Sequence, residues 1–526
     1  MSKSQFSRRR VLAAVALAPV LIAYGPSSAR TVPMLTLEAT LLRWIEAQRS
    51  KSIGYLLRNI SPTKTFERSV EARHIAADRL DAAHREAAKP GSLLRFEGER
   101  FIQSIVPKRG AVLAADRGTP DEPDYAFHWI RDSSLIMREM ATLVGTRPRQ
   151  HGEDFRQRCV DYVRFSRALQ QAEAAAGPGE VRYNLDGTPD YLQWSRPQHD
   201  GPPLRALALL QYRSMHLVGV NSDEGRLLDA AIGKDLDDVA ASWDAQGFDL
   251  WEEYRGHDFH ARVTQVGALR AGARWAREVG DKERALLYAA TETKLRGVLE
   301  EHWLPAKGYY GLHAGHMVYW DGKERVKPGE NFDAAVVTAA VHSRLSEGRY
   351  SLLDDRILAS MDKAEELFSK IYAFNVQRGT TAGLLYGRYQ GDTYFGGNPF
   401  VFITLEFAEA YYRIGQLVTQ QKSFAVTPQN RAFLGGVLRR AGLADLADSV
   451  RDVMANRVTR RALVHGLVLR GDDILRTVQR LSPESGELPE QFNQNDGAVA
   501  SSKNVSWSHA ALLSATRARA EVVGRA

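Results

Sequence analysis

Phe259-His-Ala-Arg-Val-Thr-Gln-Val-Gly-Ala-Leu-Arg-Ala-Gly-Ala-Arg-Trp-Ala-Arg-Glu278 sets apolar residues three and four positions apart along its whole length, and Lys282–Trp303 repeats the pattern after a short break. That spacing places one apolar stripe along each of two consecutive helices. The same periodicity recurs in Leu37–Asn59, Ser134–Val144, Glu153–Ala175, Pro203–Val218, Glu224–Ala245, Ala334–Leu345, Leu353–Tyr372, Pro399–Thr419, Arg431–Ala455, Val464–Arg480 and Trp507–Ala520. Few segments alternate strictly, so strands are expected to be scarce. Long helices in succession, joined by loops rich in Gly, Pro and aromatics, predict an all-α toroid of paired helices. No sequence repeat is visible, which argues against a regular solenoid. Residues 62–110 read as an accessory, charged, helical excursion broken at Lys89-Pro90-Gly91.

Hydrophobic residues make up 44% of the 526, enough for a large core. The formal charge is +7, and removing the four basic side chains of residues 1–29 leaves +3. That is too mild to imply a nucleic-acid partner. Ser7-Arg8-Arg9-Arg10-Val11-Leu12 precedes an apolar run to Tyr24, and Ser27-Ser28-Ala29 offers small residues for cleavage. This is the pattern of an export signal over residues 1–29, and the Arg pair resembles a twin-arginine signal. The reading is a chain exported to the periplasm or medium, with no membrane association after signal removal and residues 30–526 as one catalytic domain. Cys159 is the only cysteine, so no intramolecular disulfide and no cysteine-built metal site can form.

Trp, Tyr, Asp and Gly concentrate between the helices, where a scaffold of this kind carries its function. Asp249-Leu250-Trp251-Glu252-Glu253 places two carboxylates beside a Trp. Such a pair suits the first turn of a helix. It equally suits a carboxyl lying on apolar aromatic surface, kept protonated for use as a general acid. Leu488-Pro489-Glu490-Gln491-Phe492 carries a second candidate among Asn493, Asn495 and Asp496. Two carboxylates flanking a cleft are the machinery of glycoside hydrolysis. Trp129-Ile130-Arg131-Asp132, Trp194-Ser195-Arg196-Pro197 and Gly387-Arg388-Tyr389 add aromatic faces for sugar rings and charged groups for their hydroxyls. No Walker-type loop and no His-Glu-x-x-His zinc motif occurs.

In these loops the sequence resembles glycoside hydrolase family 15, the glucoamylases. The matching stretches are Asp124–Ser133, Trp194–Arg205, Asp249–Glu253, Gly387–Tyr394 with Gly397-Asn398-Pro399, and Glu490-Gln491 through Trp507-Ser508. The resemblance implies an (α/α)6 barrel with a pocket at one mouth. It implies an inverting exo-hydrolase that releases β-D-glucose from the non-reducing ends of α-1,4-glucans or maltooligosaccharides. By position, Glu252 is implied as general acid, Glu490 as general base and Tyr125 as the residue that helps hold the attacking water. Arg131, Asp132 and Arg388 match residues that grip the terminal glucose, and Leu250 and Glu253 match substrate-binding positions. Trp129, Trp194, Trp251 and Trp507 match aromatic pocket residues. No cofactor and no catalytic metal is expected, because carboxylates supply both proton transfers; the expected partner is the glucan alone, bound by a monomer. Ser195, Arg255 and Phe400 depart from the family pattern around the second and later sugars. Linkage therefore stays open, with α-1,6 glucodextranase and trehalase activities as alternatives. A non-catalytic sugar-binding protein has no need of an acid–base pair.

Overall fold

Six helices close into a ring. In the computed structural model, which describes residues 39–116, 119, 121–144, 149–176, 179–216, 221–321, 332–379, 382–421, 425–449 and 457–524, Ile130–Val144 packs on Gly201–His216 and that helix on Phe259–Glu278. The contacts continue through Ala335–His342, Val401–Gln420 and Ser506–Val523, and the last of these returns to Ile130–Val144. A second set of six packs on them one to one: Arg149–Ala176, Asp223–Ser242, Lys282–Leu299, Asp355–Ile371, Arg457–Leu481 and Ala39–Asn59. This is the (α/α)6 arrangement.

Burial separates the two rings. Every residue of Ala335–His342 is buried, as is the continuous run Val401–Gly415, so these helices are covered on all sides. Ala39–Asn59 buries only Leu41, Ile45, Gln48, Ser52, Ile53 and Leu56, a single stripe at spacings of three and four. Buried charges on the inner helices meet partners of opposite sign. Arg205 and Asp235, both fully buried, meet at 2.6 Å, and Glu139 receives Arg517 at 2.8 Å. Burying either charge without its partner is costly.

Two sequence expectations require correction. Residues 62–110 are helical only between Ala72 and Ala87, ahead of the break at Lys89-Pro90-Gly91. The rest holds an antiparallel three-stranded sheet, Phe66–Glu71, Arg100–Ile105 and Leu94–Glu97 in that order, and the helical part is two 3-10 turns, Ala72–His74 and Ala77–Arg79, and one short α-helix, Leu80–Ala87. Phe66 and Arg68 both face inward on the first strand. Arg68 is a charged residue at a core position, and it hides the alternation of buried and exposed residues. It is held there by Asp124 at 3.1 Å and Asn184 at 2.6 Å, with its guanidinium 3.7 Å over the Phe127 ring. The sheet thereby braces the loops at 124–129 and 184–192. The second correction concerns Arg431–Ala455, which does not run as one helix. It stops at Arg440, Gly442 adopts φ 75°, and a separate short helix spans Ala444–Ser449. A left-handed residue at this point ends a helix and suits glycine. The export-signal reading of residues 1–29 lies outside the described residues.

Candidate active site

The segments that lead into the inner helices line a single cavity of about 640 Å³. Tyr125, Trp129, Arg131 and Asp132 come from the entry to Ile130–Val144, and Trp194 and Ser195 from the entry to Gly201–His216. Leu250, Trp251, Glu252 and Glu253 come from the turn before Phe259–Glu278. Arg388, Tyr394 and Phe400 precede Val401–Gln420, and Glu490 and Trp507 belong to the approach and first turn of Ser506–Val523. Every residue singled out in the sequence for this site lines the cavity. Of the three departures, Ser195 and Phe400 line it and Arg255 is not among the lining residues.

Glu252 does not begin a helix. It sits in the turn of a hairpin whose strands are Gly247–Phe248 and Tyr254–Asp258. The turn is closed by Glu252 N–H donating to the Asp249 carbonyl at 2.9 Å, and Glu252 has φ 65°. A left-handed conformation at a non-glycine residue is uncommon and is maintained by its surroundings. Four donors converge on the carboxylate. Trp129 Nε1 (3.1 Å), Gln198 Nε2 (3.1 Å) and an Arg131 guanidinium nitrogen (3.2 Å) bond Oε1, while Trp194 Nε1 (2.8 Å) bonds Oε2. The expectation of an apolar aromatic bed is therefore half met: two indoles are present, but they offer Glu252 their N–H edges.

Glu490 is held differently. Its backbone is fixed by Glu490 N–H to Ser502 carbonyl and by Val401 N–H to Glu490 carbonyl, each at 2.8 Å. Tyr125 OH donates to Oε1 at 3.0 Å, and the Ser501 hydroxyl donates to Oε2. Burial pushes the Glu490 carboxyl up to about 7, against the opposing pull of those two hydroxyls. The Tyr125 and Tyr394 hydroxyls are also bonded to each other.

The remaining residues form two clamps. Arg131 bonds Asp200 at 3.1 Å and Gln198 at 2.9 Å besides Glu252, with Asp132 alongside at 3.5 Å. Arg388 bonds Asp392 through Nε at 2.7 Å and Glu253 at 3.0 Å, and Tyr389 OH donates to the other Glu253 oxygen. Trp251 and Trp507 turn their indole N–H groups onto buried carboxylates, Asp333 at 3.0 Å and Glu406 at 2.9 Å. Their polar atoms are satisfied away from the cavity.

A model of the Glycosyl hydrolases family 15 matches residues 101–517. The chain belongs to this family. Relatives of this family-15 chain include a glucoamylase of Blastobotrys adeninivorans, 30% identical over 438 residues that cover 78% of this chain and 68% of that protein. Glucoamylase 1 of Rhizopus oryzae is 26% identical over 508 residues, covering 94% and 74%. Among solved structures, the glucoamylase from Saccharomycopsis fibuligera superposes with a TM-score of 0.72 at 22% identity, covering 96% of this chain and 99% of that one. At that identity the likeness is one of fold, and it bears out the six-hairpin barrel expected from the sequence.

Within the family-15 site, several residues were not singled out by sequence. Ser501 lies in a polar stretch, Ala498–Asn504, that gives no signal of its own. Gln198 and Asp200 stand in the matching stretch Trp194–Arg205 but are ordinary polar residues until Arg131 is placed against them. Trp320 follows the strand His313–Tyr319, far in sequence from every quoted motif.

Proposed function

We propose that this chain is an exo-acting, inverting glucan hydrolase that removes β-D-glucose from the non-reducing ends of α-1,4-glucans and maltooligosaccharides. The observation that carries the reading is the pair Glu252 and Glu490 in one cavity, each held by its own donors, in a chain whose relatives bear the name glucoamylase.

In this reading Glu252 gives its proton to the glycosidic oxygen as the bond from that oxygen to the sugar's C1 breaks. Glu490 takes a proton from a water whose oxygen bonds C1 from the opposite face. Inversion needs room for that water, which sets the catalytic carboxyls roughly 6.5–9.5 Å apart. One turnover moves a proton from one carboxyl to the other, and solvent returns it. Glu252 Oε1 already accepts three hydrogen bonds, so Oε2, with Trp194 as its one partner, is the oxygen that carries the proton. Tyr125 steadies Glu490 and the attacking water. Arg131, Asp132 and Arg388 bond the hydroxyls of the terminal glucose, and Glu253 those of the departing sugar. Leu250, Trp129, Trp194, Trp251 and Trp507 supply apolar walls.

The test is product analysis on maltose, isomaltose, trehalose and maltopentaose, with the anomer recorded by NMR before mutarotation. β-Glucose from maltose and maltopentaose is expected. Dominant cleavage of isomaltose or trehalose overturns the α-1,4 assignment. Glu490→Gln is expected to lower kcat about a thousandfold, within the range for loss of a general base, while glucose still binds. Unchanged turnover sinks the mechanism.

Export is part of the same proposal, supported by the basic, apolar and small-residue order of residues 1–29. Replacing Arg8, Arg9 and Arg10 by Lys is expected to leave the protein in the cytoplasm. A monomer in solution is expected by light scattering.

A further inference from the structure

The chain has nine tryptophans, and only two are exposed: Trp194 at 38% and Trp320 at 60%. Both stand on the wall of the same cavity. An exposed Trp leaves a large apolar ring in water, which folding alone gives no reason to keep. Trp194 already has a duty, since its N–H holds Glu252 and the Arg182 guanidinium lies 3.5 Å over its ring. Trp320 has no such tie to the carboxylates.

Its position is nevertheless fixed with respect to them. The strand His313–Tyr319 pairs antiparallel with Tyr254–Asp258, the strand that leaves the Glu252-Glu253 turn, with Tyr319 opposite Tyr254. Trp320 N–H then donates to the Glu253 carbonyl at 2.8 Å. The Tyr254 and Tyr319 rings lie 5.0 Å apart, and Tyr319 lies 5.8 Å from the Trp320 ring. A ladder of aromatics thus runs outward from the turn and ends on an open indole.

We infer that Trp320 is a stacking platform for a further glucosyl unit on the leaving-group side of the substrate, outside the two sugars that flank the cleaved bond. This rests on the function proposed above, in which Glu253 faces the departing sugar; the ring tied to the Glu253 backbone is then the next surface the chain meets. The ligand class is an α-glucan longer than a disaccharide. The flat, apolar face of a pyranose matches the face of an indole, and such a contact needs no charge on the partner.

The experiment compares kcat/KM for maltopentaose with that for maltose in wild type, Trp320→Ala and Trp320→Phe. A ratio is used because it does not depend on the fraction of folded enzyme. The maltopentaose-to-maltose ratio is expected to fall about tenfold in Trp320→Ala, equivalent to about 1.4 kcal/mol, and to be largely kept in Trp320→Phe. In a Glu490→Gln background, calorimetry is expected to show the same loss of maltopentaose affinity on adding Trp320→Ala. An unchanged ratio, whether both substrates hold or both fall together, overturns the platform. Failure of the wild type to release glucose from maltopentaose overturns instead the function on which it rests.

Discussion

The Ser195 hydroxyl donates to the backbone carbonyl of Glu252 across 2.5 Å, and Glu252 is the residue whose backbone is left-handed, φ 65°. Ser195 is one of the three departures from the family pattern around the second and later sugars. In the structure its hydroxyl is spent on the turn that carries the proposed acid. Left-handed backbone at such a residue costs about 1–3 kcal/mol and persists only when neighbours enforce it. Ser195→Ala should therefore let the turn relax and misdirect the Glu252 carboxyl. The expected result is a fall in kcat of about tenfold with KM for maltose changed less than about threefold, as for an interaction made only in the transition state. A pure rise in KM would place Ser195 in sugar binding instead.

Ser501 bonds the Glu490 oxygen that Tyr125 leaves free. Both hydroxyls favour the ionised carboxylate and oppose the effect of burial. Removing one raises the carboxyl further. A general base works only when ionised, so the acidic limb of the kcat/KM profile should move to higher pH in Ser501→Ala. The basic limb should stay. Ser501→Thr, which keeps the hydroxyl, should restore the wild-type limb. A shift to lower pH in Ser501→Ala would contradict the assignment of Glu490 as base.

Much of this was legible in the sequence for one reason: inner and outer helices both obey the three- and four-residue spacing, and the loops between them carry the Trp, Arg and carboxylate clusters. The parts that were not legible have physical causes. Arg68 occupies a core position of the first strand of the small sheet, so the alternation that marks a strand was broken by a charge whose partners, Asp124 and Asn184, lie more than fifty residues away. Glu252 reads locally as a helix-start acid because the hairpin that holds it depends on Tyr254–Asp258 pairing with the distant strand His313–Tyr319. Ser501 and Trp320 gain meaning only from what stands opposite them in the folded cavity.

Arg388 connects Asp392 to Glu253. Its Nε bonds Asp392 Oδ2 at 2.7 Å and a terminal nitrogen reaches Glu253 Oε1 at 3.0 Å. Asp392 also fixes the local chain by accepting from Tyr394 N–H at 2.8 Å. Asp392→Asn replaces a charge-assisted, two-point contact with a neutral one whose amide N–H groups face the guanidinium. Arg388 should lose its aim at both Glu253 and the sugar. KM for maltose is expected to rise about tenfold, the scale of one lost charge-assisted hydrogen bond, with kcat reduced less than about threefold. Steady-state kinetics on maltose, with a circular-dichroism check of folding, decides it; an unchanged KM would remove Arg388 from the binding role.

Glu406 lies beneath the pocket, fully enclosed by inner helices, where it accepts from Trp507 Nε1 at 2.9 Å and meets His342 Nε2 at 3.0 Å. Burial pushes its carboxyl up to about 8, although the hydrogen bond from Trp507 pulls the other way. A group whose folded value is raised adds stability that is complete below the ordinary carboxylate range and is lost as pH rises through the folded value. Wild type should therefore lose stability between about pH 5 and pH 8 in part because the Glu406 carboxyl ionises in the unfolded chain while the fold keeps it protonated. Glu406→Gln keeps the shape and can still accept from Trp507 through its amide oxygen, but has no proton to lose. The two proteins should have similar thermal midpoints at pH 5, and the variant should become the more stable by a few degrees near pH 8.5. Scanning calorimetry across that range reads the gap directly. A gap that stays constant with pH would mean that Glu406 is already ionised at pH 5 and that its partners outweigh its burial.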